Sequence, residues 1–257
     1  MTYNHRNYSV LVLLSLCIVS VSSAKAEEAL IAVAANFAAP MQKLVATFEQ
    51  QTSHKIHLAL GSSGKSYAQI VNGAPYHGFF SADQDKPRKL IERGLVLSDH
   101  QFTYARGQLA LWSLNDSFVQ GKETLESFAD IKRIALANPK LAPYGFAAQE
   151  VLRHLKLEKA TRSKWVQGEN IAQTFQFVDT ASAEVGFVAL SQILRNGKLI
   201  KGSYWLIPQS YYSPINQDAV LLKTAKDNQA AVAFFEFVQS PDAQALIQEY
   251  GYLLIDK

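Results

Sequence analysis

The segment Gly61–Ser66, with the sequence GSSGKS, concentrates the groups that could do chemistry. It follows a short apolar run, Ile56–Leu60, and precedes apolar residues at helical spacing. A turn rich in glycine and serine between a strand and a helix presents free backbone N–H groups and hydroxyls at the positive end of the helix. The pattern therefore predicts a binding site for a small anion.

Three other turns have the same arrangement. Asn36 follows the apolar run Leu30–Ala35, Tyr144 lies at the start of a predicted helix, and Ile171 opens another. Asn36 could instead be a simple N-cap, a role that asparagine often has. Four such turns, two from each of two lobes, would surround a small anion with N–H donors.

Three alternative interpretations of Gly61–Ser66 remain open. Counted from Ala59, the segment satisfies the relaxed nucleotide-binding pattern, for which only Phe79–Asp83 offers a magnesium-holding aspartate. Ser62 and Lys65 match the Ser-x-x-Lys pattern of serine acyl enzymes, although neither SDN nor KTG occurs in the sequence. The serines could also serve only to cap the helix.

Composition excludes several classes of protein. The 257 residues are 48% hydrophobic and 18% charged, which is too apolar for a disordered chain. A single cysteine cannot form an internal disulfide, and the six histidines show no metal-ligand spacing. The formal net charge is only +3 and no basic cluster stands out, so we expect no nucleic-acid partner.

The first 26 residues resemble a secretory signal peptide. Tyr8–Val21 is an uncharged apolar run, and Ala24–Ala26 fits an A-x-A cleavage site. The run is shorter than the roughly 20 residues that a spanning helix needs, which disfavours a membrane anchor. We expect the chain to be exported to the periplasm and its signal peptide to be cleaved. Whether Cys17 is ever lipidated is left open.

The rest of the chain alternates short apolar runs with helical patterns, which predicts an α/β protein with mainly parallel sheets. No linker separates sequential domains, so the chain is expected to cross between two lobes at Phe102–Gly107 and Tyr211–Gln217. The predicted organisation is a signal peptide (1–26), a first lobe (27–105), a second lobe (106–213) and a return to the first lobe (214–257). The predicted elements are strands at Leu30–Ala35, Ile56–Leu60, Leu109–Trp112, Ile134–Ala137, Val185–Val188 and Ala219–Leu222, and helices at Gly145–Leu155, Asn228–Val238 and Pro241–Tyr250.

Taken together, five segments resemble the periplasmic molybdate-binding proteins of ABC transporters, and they occur in the same order along essentially the whole mature chain. These segments are Ala34–Phe37, Gly61–Pro75, Phe79–Asp83, Asn138–Gly145 and Gly186–Ile193.

The resemblance implies a type II periplasmic binding fold, two α/β lobes joined by two crossover strands that close on a tetrahedral oxyanion. It implies capture of molybdate or tungstate through the oxygens of the ion, with no cofactor, no directly coordinated metal and no catalysis. We also expect the chain to be a monomer. The partner would be the membrane permease of an ABC transporter. A receptor for another oxyanion such as sulfate, or an exported serine acyl enzyme using Ser62 and Lys65, remains the alternative.

Position by position, the resemblance assigns side-chain donors to Asn36, Ser63 and Tyr144, and backbone N–H donors to Asn36, Ser63 and Ile171. Some members of the family place the tyrosine at the position of Ala189 and lack the one at Tyr144. The tyrosine role is therefore assigned to Tyr144 here.

Overall fold

A computed structural model describes residues 26–255 of the protein, apart from the side chains of residues 98–100. Cys17 and the predicted signal peptide, except for Ala26, lie outside the described residues. Within the described range, no helix combines the length and the apolar character needed to cross a membrane.

The first of two five-stranded sheets is built from both ends of the chain. Its strands are β1 (Glu28–Ala34), β2 (Lys55–Gly61), β3 (Gly78–Phe80), β4 (Val96–Gly107) and β12 (Ile215–Leu222). They lie in the spatial order β2, β1, β3, β12, β4. This sheet with its helices is the first lobe.

The second sheet is built from the middle of the chain. Its strands are β5 (Leu109–Ser113), β6 (Ile134–Ala137), β7 (Trp165–Gly168), β8 (Val185–Ala189) and β11 (Ser203–Leu206). Their spatial order is β11, β5, β8, β6, β7, and a small separate hairpin is formed by β9 (Leu194–Arg195) and β10 (Lys198–Leu199). This sheet with its helices is the second lobe.

In each sheet, one strand runs antiparallel to the other four. In the first sheet β12 runs antiparallel to both of its neighbours, β3 and β4, whereas β1 pairs in parallel with β2 and β3. In the second sheet β5 is antiparallel to β8 and β11, whereas β6 is parallel to β7 and β8. Both opposing strands are the first strand after the chain has crossed from the other lobe. The mainly parallel α/β class is thus confirmed, with the exceptions at the crossings.

Helices cover both faces of each sheet. They are α1 (Ala38–Gln51), α2 (Ser63–Val71), α3 (Asp85–Glu92), α4 (Glu123–Glu126), α5 (Pro143–His154), α6 (Glu158–Thr161), α7 (Ile171–Asp179), α8 (Leu190–Ile193), α9 (Gln229–Val238) and α10 (Pro241–Glu249). In β1, Ile31 and Val33 lie in the core shared with α1 and α9, while Ala32 lies in the core under α2 and α3. A strand buried on both faces must be apolar throughout, which explains the continuous apolar run.

The two lobes are joined where β4 passes into β5 and where the chain returns into β12. Gly107, the last residue of β4, pairs with Ile215, the first residue of β12. A short C-terminal tail adds a third strand-like contact, because the backbones of Leu253 and Arg106 exchange two hydrogen bonds, of 2.7 and 3.0 Å.

The elements predicted from the sequence differ from the observed ones mainly at their ends. Helix α5 begins two residues before the predicted Gly145, because Pro143 occupies the first turn. Asn228 and Ser240 cap α9 and α10 through their side chains, as N-cap residues typically do. β4 is much longer than the predicted crossing, since its first part is an ordinary strand of the first sheet.

Candidate functional site

A small cavity lies between the two lobes, at the starts of helices from both. It contains about 200 Å³ of empty space, its open mouth included. None of the residues that line it in the described part of the chain is charged. We call this space the central cavity; its lining residues are Ala34, Ala35, Asn36, Gly61, Ser62, Ser63, Ala82, Ala142, Pro143, Tyr144, Asn170 and Ile171.

The four residues predicted to bind an anion, Asn36, Ser63, Tyr144 and Ile171, all line the central cavity. Each belongs to a helical start: a 3-10 turn (Ala35–Phe37) that leads into α1, and the first turns of α2, α5 and α7. The first N–H groups of a helix have no partner inside that helix. Together with the helix dipoles, these groups give the cavity a positive potential without a cationic side chain.

Ser63 is the first residue of α2 and is almost fully buried. Its hydroxyl oxygen accepts a hydrogen bond of 2.9 Å from the backbone N–H of Ala82. Because a hydroxyl carries one hydrogen, which is not used in this contact, the Ser63 O–H can still donate to a ligand. The hydroxyl is therefore held in place as a donor by the protein itself.

The side-chain nitrogen of Asn36, unlike the Ser63 hydroxyl, has no hydrogen left to donate to a ligand. Its side-chain nitrogen donates to the Oε1 atom of Gln217 at 2.8 Å and to the hydroxyl of Tyr252 at 2.9 Å. An amide nitrogen has two hydrogens, and both are engaged in these contacts. The donor that Asn36 leaves for a ligand is its backbone N–H, and the predicted side-chain donor serves the protein interior.

Tyr144 is the second residue of α5, and its side chain is fully buried beside the crossover strands. Burial raises the pKa of its phenol well above the ordinary value, so the hydroxyl stays protonated. A Cβ atom at position 107 would lie 2.0 Å from this hydroxyl, so only glycine fits at Gly107. Tyr144 thus reaches the junction of the two lobes.

Ile171 opens α7 after the N-cap Asn170, whose side chain accepts hydrogen bonds from the N–H groups of Ala172 and Gln173, both at 3.0 Å. This cap uses the second and third N–H groups of the helix. The first one belongs to Ile171, which lines the central cavity.

Comparison with known proteins assigns the chain to a family. Residues 29–253 match the family described as bacterial extracellular solute-binding protein. The sequence is 46% identical over 230 residues to the molybdate-binding protein ModA of Azotobacter vinelandii, covering 90% of this chain and 91% of that protein. It is 43% identical over 231 residues to ModA of Rhodobacter capsulatus, with 90% of each chain covered. The chain belongs to the ModA-type solute-binding proteins.

The fold of this ModA-type chain agrees with a solved relative. The structure of the periplasmic molybdate-binding protein of Azotobacter vinelandii matches it with a TM-score of 0.86 and 38% identity, covering 89% of this chain and all of that one. The type II periplasmic binding fold predicted from the sequence is thereby confirmed.

In this ModA-type chain, Lys65 does not point its charge into the central cavity. Its Nζ atom lies 2.8 Å from Oε1 of Glu169, so the pair joins the first lobe to the second. The hydrogen bond that Lys65 donates to Glu169 raises the pKa of the Lys65 amine, which keeps it protonated and therefore unavailable as a general base. The hydroxyl of Ser62 accepts a 3.3 Å cap bond from the Lys65 N–H. These contacts disfavour the acyl-enzyme arrangement, which needs a basic amine beside the serine hydroxyl.

A buried hydrogen-bond network behind the cavity was not predicted from the sequence. Gln217 in β12 contacts both Asn36 and Tyr144, and the hydroxyl of Tyr252 lies 2.9 Å from the carbonyl oxygen of Asn36 and 3.1 Å from the hydroxyl of Ser191. Ser191 also donates to the Asn36 carbonyl at 2.9 Å. The network thereby ties the two lobes together directly behind the predicted ligand donors.

Clusters that could hold a metal ion were sought across residues 26–255. No group of three or more His, Cys, Asp or Glu side chains in that part of the chain has a suitable arrangement. None of the residues that line the central cavity within this range has a carboxylate, imidazole or thiol side chain.

Proposed function

We propose that this chain is a periplasmic binding protein that captures molybdate and delivers it to the membrane permease of an ABC transporter. The observation that carries the proposal is the ring of four helix starts around one small uncharged cavity, two from each lobe. A dianion can be held by such neutral donors, each helix terminus contributing roughly 0.3–2 kcal/mol. The names of the ModA relatives point to the same ligand.

The site residues in this proposal are Asn36, Ser63 and Ile171 through their backbone N–H groups, and Ser63 and Tyr144 through their hydroxyls. A cavity lined by donors disfavours hydrogen phosphate, because its O–H would lack an acceptor at a cost of about 1–3 kcal/mol. Sulfate carries no such proton, and it is discriminated by size, since its shorter bonds would stretch the hydrogen bonds. Tungstate matches molybdate in charge and nearly in size, so we expect it to bind as well.

Titration calorimetry with molybdate, tungstate, sulfate, hydrogen phosphate and vanadate tests this proposal. We expect binding of molybdate and tungstate at least about a hundredfold tighter than of sulfate or phosphate. Sulfate binding as tight as molybdate binding would instead identify a sulfate receptor. Absence of binding to all five ions would overturn the proposal.

We also propose that the chain is not an enzyme and acts as a monomer. A fluorophosphonate or a β-lactam should leave the protein unlabelled, as judged by intact-protein mass spectrometry. Stoichiometric labelling of Ser62 would support the acyl-enzyme alternative. Light scattering of the purified chain, with and without molybdate, tests the monomeric state.

The proposed lobes are residues 27–105 with 214–257, and residues 106–213, and they close around the ligand by bending at the two crossings. Small-angle scattering should show a smaller radius of gyration in saturating molybdate than without it. An unchanged radius would count against hinge closure. For the proposed signal peptide, N-terminal sequencing of protein from the periplasm should begin at Glu27.

A further inference from the structure

We propose that Gln217 is a positioning residue that makes the Tyr144 hydroxyl a hydrogen-bond donor to the bound oxyanion. This inference rests on the proposed function and assigns a role to a residue outside the lining of the central cavity. Gln217 lies in β12, the strand that returns from the second lobe, and its side chain is completely buried.

The orientation of the Gln217 amide is fixed by the Asn36 side chain, which donates a hydrogen bond to the amide oxygen. The side-chain nitrogen of Asn36 lies 2.8 Å from Oε1, and so does the hydroxyl of Tyr104, whose single hydrogen is also within reach of the Ser81 carbonyl oxygen, 3.0 Å from the Tyr104 oxygen. Because Oε1 is held on this side, the Nε2 atom must face the other way. There it donates to the Tyr144 hydroxyl oxygen at 3.3 Å.

A phenol that accepts from an N–H group keeps its own hydrogen for a different acceptor. Tyr144 is buried and lines the central cavity, so a bound oxyanion would supply that acceptor. An acceptor at position 217 would have the opposite effect, since it would draw the phenol hydrogen away from the cavity. The identity of residue 217 thus sets the direction of the hydrogen bond.

The same amide connects the lobes. Asn36 belongs to the first lobe and Tyr144 to the second, and Gln217 contacts both within one buried network. The contact with Gln217 that keeps the Tyr144 hydroxyl a hydrogen-bond donor therefore forms only where the two lobes are in contact. Gly107 permits this arrangement, since a Cβ atom there would also lie 2.5 Å from Nε2 of Gln217.

Four chains test the inference by molybdate calorimetry: the wild type, Gln217→Met, Tyr144→Phe and the double variant. We expect Gln217→Met to weaken molybdate binding about 10-fold in the wild-type background and less than about twofold when Tyr144 is already Phe. A general loss of packing would weaken binding by the same factor in both backgrounds. That result, or wild-type affinity in Gln217→Met, would overturn the inference.

Gln217→Glu tests the polarity, because a carboxylate can only accept from Tyr144. We expect its affinity for molybdate to fall further than that of Gln217→Met. An affinity equal to the wild type would overturn the inference. The matched control is Gln108→Met, because Gln108 lies at the same crossing but donates to the carbonyl of Gly251 at 2.8 Å. It should bind molybdate within about twofold of the wild type.

Failure of the inference and failure of the proposed function give different results. If the wild-type chain binds no oxyanion, the proposed function falls and the role of Gln217 falls with it. If the wild type binds molybdate and the two Gln217→Met factors are equal, only the inference falls.

Discussion

Replacing Ser63 with alanine should affect ligand binding and stability by separate routes. The substitution removes the hydroxyl that is proposed to donate to the oxyanion. A hydrogen bond to a charged group is worth about 1.5–3 kcal/mol, which corresponds to roughly 10–150-fold in affinity. Titration of the variant with molybdate measures this loss directly.

The second effect follows from the contact between Ser63 and Ala82. The Ala82 N–H donates to the serine hydroxyl at 2.9 Å, and Ala82 is only 2% exposed, so water cannot easily replace the lost acceptor. An unpaired buried N–H costs about 1–3 kcal/mol. We therefore expect the free energy of unfolding without ligand to fall by about that amount, as measured by urea denaturation.

Ser240→Ala is the control for a purely structural serine. Ser240 caps α10 through a 3.3 Å hydrogen bond from the Ala243 N–H and does not line the central cavity. Its loss should lower stability by about 1 kcal/mol and leave molybdate affinity unchanged. If Ser63→Ala behaves in the same way, with reduced stability and wild-type affinity, the assignment of Ser63 to the ligand site is refuted.

Three further changes give distinct expectations. Tyr144→Phe keeps the ring and should weaken molybdate binding by about 10–150-fold, as calorimetry would show. A double-mutant cycle on Lys65 and Glu169 should give a coupling of at most about fivefold in molybdate affinity, because both partners are about half exposed. Burial raises the pKa of Tyr252 to about 12, whereas the unfolded chain has about 10. The stability that Tyr252 contributes below pH 10 should therefore be lost as pH rises from 10 through 12, which urea denaturation would measure.

Each of these expectations has its own contrary outcome. Wild-type affinity in Tyr144→Phe would remove the hydroxyl from the site. The pair Lys55 and Glu49, 2.9 Å apart within the first lobe, should show no coupling to ligand affinity, and equal coupling in both pairs would exclude a specific role of the interlobe pair. In Tyr252→Phe the decline of stability above pH 10 should be shallower than in the wild type; an identical slope would contradict the assignment to Tyr252.

Local sequence patterns predicted the four helix starts because each depends on neighbouring residues. Gly61–Ser66 contains its own N-cap, and Asn170 caps α7 beside Ile171. Such signals can be found without knowledge of the fold. The meeting of these starts at one cavity followed from the expected two-lobed arrangement and from the family resemblance.

The network behind the cavity could not be predicted in this way. Gln217 lies 181 positions from Asn36 and 73 from Tyr144, so no local pattern links them. An isolated glutamine in a strand that also contains Asp218 gives no sign of full burial. The engagement of the Asn36 side chain by Gln217 and Tyr252 was hidden for the same reason, whereas the side-chain donor predicted at Asn36 came from the family resemblance.

The insertion of β12 between β3 and β4 constrains the order in which the chain can fold. All strands of the second sheet lie between Leu109 and Leu206, so that sheet can be completed from one continuous segment. The first sheet lacks an inner strand until Ile215–Leu222 is available. If the chain crosses a membrane with its N-terminus first, the second lobe emerges after the first four strands of the first lobe. The second lobe is nevertheless the first to have all the strands of its sheet. The earlier lobe must remain open at its centre, and its assembly is the slow, long-range step.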